Sequence, residues 1–348
     1  MEETTNRDMR PSADMLVLAG DLACLVDAPD IVAAFERYER IAKRWKRRYT
    51  LFGIVALAAS FLGIVLLGAQ LTMPGLLPAR SVLVAAIGLG LAVVGLVAAA
   101  FFLAAKPRER WLFARFAAEW LRCLKFRMFF ALGEASTLGA VRAEVAARSA
   151  TALGRFRYRM LGGASAMSFS PREVIRDERP SSTGGPTPWL ATARILYADM
   201  RVGVQLQHFE SCKHDKEGEI RPARSAGDLF FLGALLLTLA QVGIDGANLL
   251  LARDAASAPG PAIAALMAFG SWIFFAASAT LLIWERGRAT SVDHDRYDRY
   301  HAEIKEAAAG LHEADLPTFM TIVANVEDLC LRELQDFCRD NARASYLG

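Results

Sequence analysis

Three groups of residues in this 348-residue chain have types and spacings that chemistry can use. His208, Cys212 and His214 offer nitrogen and sulfur donors of the kind zinc takes. His208 and Cys212 stand one helical turn apart, but His214 falls on another face and no fourth donor accompanies them, so ordinary helix surface is expected. His294, Asp298 and His301 share a face of the charged stretch DHDRYDRYHAEIKEAAAG. A divalent cation is conceivable there, yet such a face is ordinarily solvated. Thr238, Gln241, Asp245 and Asn248, spaced by three, four and three, line one face of the apolar stretch Leu229–Ala252. An ionisable residue at bilayer depth is costly, so that face must point at protein or at water.

Patterns for covalent or phosphate chemistry are missing from the sequence. The TGGP at 183–186 is no phosphate loop, because no Lys-Ser/Thr pair follows its glycines. No Ser/His/Asp spacing, no HExxH and no pair of carboxylates in an apolar setting is present. The expectation is a protein that is not an enzyme and needs no cofactor or metal.

What positions the polar stripe is membrane-length helix. The chain is 54% hydrophobic, and the excess is concentrated in Leu51–Leu71, Ser81–Ala105, Leu229–Ala252 and Pro261–Trp284. This predicts an all-α membrane protein with four transmembrane helices, paired as hairpins over 51–105 and 229–284, with cytoplasmic helical extensions. The net charge of +3 says little; its placement says more. Arg40, Lys43, Arg44, Lys46, Arg47 and Arg48, interleaved with Trp45 and Tyr49, precede the first span. Basic residues among aromatics can bind nucleic acid, but next to an apolar span they read as positive-inside charge with an aromatic anchor, able to attract anionic lipid head groups. Lys106, Arg108, Arg110 and Arg115 follow the second span, Arg221 and Arg224 precede the third, and Arg286 and Arg288 follow the fourth. The two outer loops carry only Arg80 and Arg253, so both hairpins are expected to keep their ends, and the chain its termini, in the cytoplasm. The residues before Leu16 do not resemble a cleaved signal peptide. The cysteines (Cys24, Cys123, Cys212, Cys330, Cys338) are odd in number, have no metal-motif spacing and lie outside those loops, which fits a reducing compartment.

Between the spans, Ala13–Val32 has the pattern of a short amphipathic helix with a break at Pro29. Lys106–Met160 is expected to continue the second span as helix, its basic stems snorkelling from RFAAEWLRCLKFRMFF. Residues 161–188, rich in Gly, Ser and Pro, read as a linker between an N-terminal half (1–160) and a C-terminal half (189–348). Trp189–Lys216 reads as a helix interrupted near Gly218 and Pro222. Pro317 opens a last helix with one apolar stripe, Val323, Val326, Cys330, Leu334 and Phe337. Both halves order their elements alike, and Arg115-Phe-Ala-Ala-Glu119 and Arg299-Tyr-His-Ala-Glu303 occupy matching positions, which suggests duplication.

The second half is similar to a known family. Tyr197, Arg201, Gln205 and Phe209 ahead of the third span resemble the Tyr/Arg/Gln/aromatic signature that precedes the membrane hairpin of SLATT domains, the SMODS and SLOG-associating two-transmembrane effectors, which include the DUF4231 group. Tyr297, Tyr300 and Glu303 resemble the aromatic-rich helix after that hairpin. Glu327 and Glu333 followed by Phe337 are similar to the C-terminal Glu…Glu…Trp pattern, with Phe in place of Trp. The resemblance covers about Trp189 to Arg339. It implies an effector of bacterial conflict or antiphage systems in the inner membrane, opening a pore when a partner sensor or a nucleotide second messenger signals infection.

The residues themselves leave two uses of the polar stripe open. It lines a water path in a homo-oligomer, or it holds helices together by interhelical hydrogen bonds. A membrane-anchored scaffold whose cytoplasmic helices bind a partner is the other class; a transporter would need spans broken near the midplane, and no span has an internal Pro. For the topology, a membrane-impermeant thiol reagent is expected to modify Cys24 only after the membrane is permeabilised, and labelling in intact cells reverses the assignment.

Overall fold

The computed structural model describes residues 6–72, 81–135, 137–161, 189–250, 261–288 and 290–343, and among them every regular element is helical. The expected linker at 161–188 and both outer loops lie almost wholly outside the described residues. A short α1 (Ala13–Ala19), capped by the Ser12 hydroxyl on the Met15 N–H, leads through a 3-10 turn at Gly20–Leu22 into α2 (Ala23–Val26). Pro29, expected to break a helix, also begins one: it is the first residue of α3 (Pro29–Thr72), where its missing N–H costs nothing.

α4 (Ser81–Ala105) does not run on into the next helix as expected. Lys106 takes a left-handed φ of 45°, and α5 (Pro107–Phe126) starts afresh with proline at its first position. A 3-10 turn at Arg127–Phe130 and α6 (Ala131–Glu134) follow, and then α7 (Leu138–Leu161). In the second half, α8 (Leu190–Tyr197) passes through a π-helical turn, Ala198–Gly203, into α9 (Val204–Leu250). α9 continues unbroken past Gly218 and Pro222, contrary to the expected interruption. One proline removes a single intrahelical hydrogen bond at a cost of about 3 kcal/mol, which a helix of 47 residues absorbs. α10 (Pro261–Arg288), α11 (Thr290–Ala307) and α12 (Leu316–Arg343) complete the order.

These helices form two compact units, and each unit draws on both halves of the sequence. The polar unit comprises Met1–Lys46, Arg108–Lys216 and Val292–Arg343; the apolar unit comprises Arg47–Pro107 and Glu217–Ser291.

Three helical stretches are long and apolar enough to cross a membrane: Pro29–Gln70, Ser225–Ile244 and the one starting at Ile263. A further apolar stretch within α4, Ala86–Ala98, is shorter. The apolar unit turns large side chains outward, with Leu96 72%, Leu229 69% and Leu266 63% exposed, a surface suited to lipid and not to water. The chain is therefore a membrane protein, helical throughout its described regular elements. Within this unit Phe52 stacks on Phe101 at 3.9 Å, and the Tyr49 hydroxyl donates to the Gly287 carbonyl at 3.0 Å. α9 and α10 approach closely where Gly233 meets Phe274; a Cβ at Gly233 would come within 2.7 Å of that ring.

The polar unit buries one continuous core, from Met9, Leu25 and Phe35 through Phe126 and Phe129 to Phe319, Val323 and Val326. The stripe read on the last helix faces it: Val323, Val326, Cys330 and Leu334 are buried and Phe337 packs at the margin. The basic residues of RFAAEWLRCLKFRMFF do not snorkel. Arg122, Lys125 and Arg127 are 4%, 0% and 5% exposed, because the last turns of α5 and the turn after it are buried, residues 120–133 without a break.

Candidate functional site

The residues that carry the family resemblance converge inside the polar unit. The π turn adds a residue to the helical repeat and turns Arg201 into the core, where it is 1% exposed. Arg201 grips Glu327 of α12 with both edges of its fork: Nε donates to Oε1 at 2.7 Å and Nη2 to Oε2 at 2.8 Å. The Tyr197 hydroxyl donates to the same Oε1 at 3.0 Å, and Arg201 Nη2 also reaches Cys123 Sγ at 3.4 Å. The Phe126 ring lies 5.0 Å from the guanidinium carbon, and Phe129 and Phe319 pack edge-on against Tyr197. Burial, with the Glu327 charge adding to it, pushes the Tyr197 hydroxyl well above its ordinary range and keeps it a donor. Burial does the same to the Cys123 thiol, which argues against a reactive thiolate.

Further along α12, Glu333 and Phe337 meet a residue that sequence reasoning missed. Arg296, 1% exposed on its side chain, pairs with Asp293 at 2.7 Å, Glu333 at 3.1 Å and Asp340 at 3.4 Å. Its guanidinium lies over the rings of Tyr297 and Phe337, each 5.0 Å away. Nothing in the charged stretch around Arg296 marks it out except its (i, i+3) spacing from Asp293. Gln205 and Phe209 are buried one and two turns after Arg201, with Phe209 5.8 Å from Tyr297. Glu303 is half-buried on α11.

A second network, also unread in the sequence, runs along α5. Arg115 joins Glu119 at 2.6 Å and Glu39 at 3.3 Å, and Arg122 holds Glu119 at 2.9 Å. Burial alone would raise the Glu119 carboxyl, but Arg115 and Arg122 outweigh it and hold the group near 2. The counterpart of Arg115 in the suggested repeat, Arg299, instead bonds Asp336 at 3.0 Å.

His208 touches Cys212 at 3.7 Å, while His214 stands exposed. Burial, reinforced by Arg115 and Arg122, pulls His208 down to about 4. Asp298 pairs with Lys213, and His294 with Asp295 at 3.3 Å. Among the described residues no three His, Cys, Asp or Glu side chains gather as a metal site.

The stripe of the third span is placed in part. Thr238 bonds the Ala234 carbonyl of its own helix at 2.8 Å and the Ser271 hydroxyl of α10 at 2.7 Å. Both hydroxyls lie in an open cleft of about 370 Å³ walled by Phe231, Leu235, Trp272 and Phe275. Gln241 is half-buried one turn on; Asp245 and Asn248 belong to α9, and their side chains lie outside the described residues. Of the basic cluster before the first span, Arg40, Lys43, Arg44, Lys46, Arg47 and Arg48 are all exposed. Arg40 and Lys43 pair back to Glu36 at 3.7 Å and Glu39 at 4.0 Å, and Lys46 lies 5.8 Å from the Trp111 ring.

Comparison with family models, with curated proteins and with solved structures returns no match.

Breaking the central pair by Glu327→Gln or Arg201→Met leaves a buried charge unmatched, and an unfolding midpoint in detergent should fall by the equivalent of about 3–5 kcal/mol. The double variant Arg201→Met/Glu327→Met is expected to recover much of that loss. The His208 shift has its own signature. The unfolded chain takes up a proton near pH 6.5 that the folded chain refuses until about 4, so stability falls as pH drops through that window and is unaffected above it. His208→Gln should flatten the decline of the midpoint between pH 6.5 and 4.5.

Proposed function

We propose that this chain is a SLATT-like membrane effector of a bacterial conflict system. In this reading it spans the inner membrane four times as two hairpins with both termini cytoplasmic, and it assembles as a homo-oligomer whose third spans enclose a pore. The observation that carries the reading is the polar face of α9. Thr238 finds its partner, Ser271, inside its own hairpin, while Gln241, Asp245 and Asn248 continue the same face by helical spacing along a stretch where Leu235, Leu236, Leu239 and Val242 are exposed. Four spans leave little room to shield that face from lipid, so further copies of the chain, or the water between them, are its physical alternatives. The resemblance at Tyr197, Arg201, Gln205, Phe209, Glu327 and Glu333 supports the effector class, and three of those residues meet in one buried bond network. The trigger is a partner sensor or a nucleotide signal acting on the polar unit. Anionic lipid is the partner of the basic residues Arg40 to Arg48.

The Thr238–Ser271 bond also favours a second reading. If the whole stripe is used as Thr238 is, it ties helices together, and the chain is a non-conducting anchored scaffold whose cytoplasmic helices bind a partner. Asp245 separates the two. In a pore, Asp245→Asn removes a ring of charge and shifts cation selectivity, and Asp245→Leu makes an apolar constriction that closes by dewetting. As glue, Asn is nearly silent and Leu weakens the oligomer by about a kcal/mol per contact. Ion flux in liposomes, read beside oligomer size, decides: unchanged flux and selectivity in correctly assembled Asn and Leu variants removes Asp245 from the conduit.

A further inference from the structure

The N-terminal turn Asn6–Arg10 is bound to the polar unit in the manner of a ligand. Two cations of α5, one turn apart and almost wholly buried, direct three donors at it. Arg122 presents its Nε/Nη2 edge, the edge with which arginine recognises carboxylates and phosphates in pairs. Nη2 donates to Asn6 Oδ1 at 2.6 Å, and Nε lies 3.0 Å from Asp8 Oδ2. Lys125, 0% exposed, donates to the carbonyl oxygens of Asp8 at 2.6 Å and Met9 at 2.9 Å. Four oxygens from one short segment thus fill a cationic seat, behind which Arg122 keeps its Nη1 on Glu119 and its face on Phe35.

The fit is incomplete. Arg122 Nε and Asp8 Oδ1 are both buried, and among the described residues neither completes a hydrogen bond. The 3.0 Å approach of Nε to Asp8 is an ion pair off the N–H line. A buried donor and a buried acceptor left so both work against the closed segment. The Lys125 amine, desolvated, is pulled down to about 8 although the Asp8 charge opposes the fall. Among the described residues the segment's other holds are few: two turn bonds to Asn6 O, from the Met9 N–H at 3.0 Å and the Arg10 N–H at 3.4 Å, the buried Met9 side chain, and an exposed Arg10–Glu36 ion pair. A segment with so few contacts opens well below the cost of global unfolding.

We propose that the Arg122–Lys125 seat is an oxyanion site held shut by its own N-terminal segment, and that a phosphate group takes the place of Asn6–Met9 when the segment lets go. A tetrahedral oxyanion presents several acceptors at once and can satisfy Nε, which Asp8 does not. The proposal is independent of whether the spans conduct.

Arg7 supplies the readout. Its side chain is exposed while Asp8 after it is buried, so trypsin can use the Arg7–Asp8 bond only when the segment is out. The full chain in detergent at pH 7 is digested in inorganic phosphate, in sulfate and in chloride at matched ionic strength, and release of the Arg7-terminated peptide is timed against cleavage elsewhere. Phosphate should speed that one cleavage several-fold over chloride, and Lys125→Met should abolish the acceleration. If sulfate equals phosphate, the site takes oxyanions in general; vesicles of phosphatidic acid that act without free phosphate make a lipid head group the source. Equal rates in phosphate and chloride overturn the proposal, as does a phosphate effect unchanged in Lys125→Met. Asn6→Ala, which removes the Arg122 bond and leaves the Arg7–Asp8 bond unchanged, guards against a variant that fails to fold: it should raise cleavage in chloride several-fold, and an unchanged rate there overturns the latch as well.

Discussion

A guanidinium and a carboxylate shut away from water set the terms for the polar unit. Taking Arg201 and Glu327 out of water costs several kcal/mol for each ion, and their attraction returns that only when the geometry is close to ideal. Both edges of the fork, the Tyr197 hydroxyl and the Phe126 ring supply that geometry together. They come from α5, α8 and α12 and from the π turn, so the register of each helix is fixed by the same bond. A slip of one residue in any of them would leave a full charge without its partner. Apolar packing alone, which tolerates small slides, would not enforce this.

The rule extends through the unit. Arg296 has its three carboxylates, Arg115 and Arg122 share Glu119, and Lys125 has two carbonyls. The apolar unit follows a different logic. Its close contacts are between rings and small residues, as at Gly233 and Phe274, and its described interhelical hydroxyl bonds include Thr238 to Ser271 and Tyr49 to the Gly287 carbonyl. One unit is held by directional bonds in a core that excludes water; the other relies on fit, because lipid gives apolar side chains no reason to leave it.

Hydropathy made the apolar helices legible, since membrane length is a count of residues. The stripe on the last helix was equally plain, because one face of α12 is apolar and the other charged. The signature residues Tyr197, Arg201 and Glu327 could be picked out by resemblance, but their meeting could not, because 126 residues separate Arg201 from its carboxylate. Composition misled where burial was complete. Arg122 and Lys125 look like surface when the only model for a basic residue is a solvated one, and their partners lie at the far N-terminus. Local preference places a break near Pro222 and none at Lys106; the chain has the reverse, an unbroken α9 and a left-handed Lys106.

The polar unit is discontinuous in the chain, and that has a consequence for how the molecule is made. Its core takes pieces from Met1–Lys46, from Arg108–Lys216 and from Val292–Arg343, with membrane-length helix between them. At a synthesis rate of about 5–20 residues per second, Arg201 waits roughly 6–25 seconds for Glu327, 126 residues later, to leave the ribosome. Through that interval the aromatic faces of α5 and α8 have no cover and the guanidinium has no counter-charge, while the first spans are already being handed to the membrane. The nascent chain thus holds apolar and charged surface unpartnered while its later helices are still being made, and the unit closes only once its final helix is out.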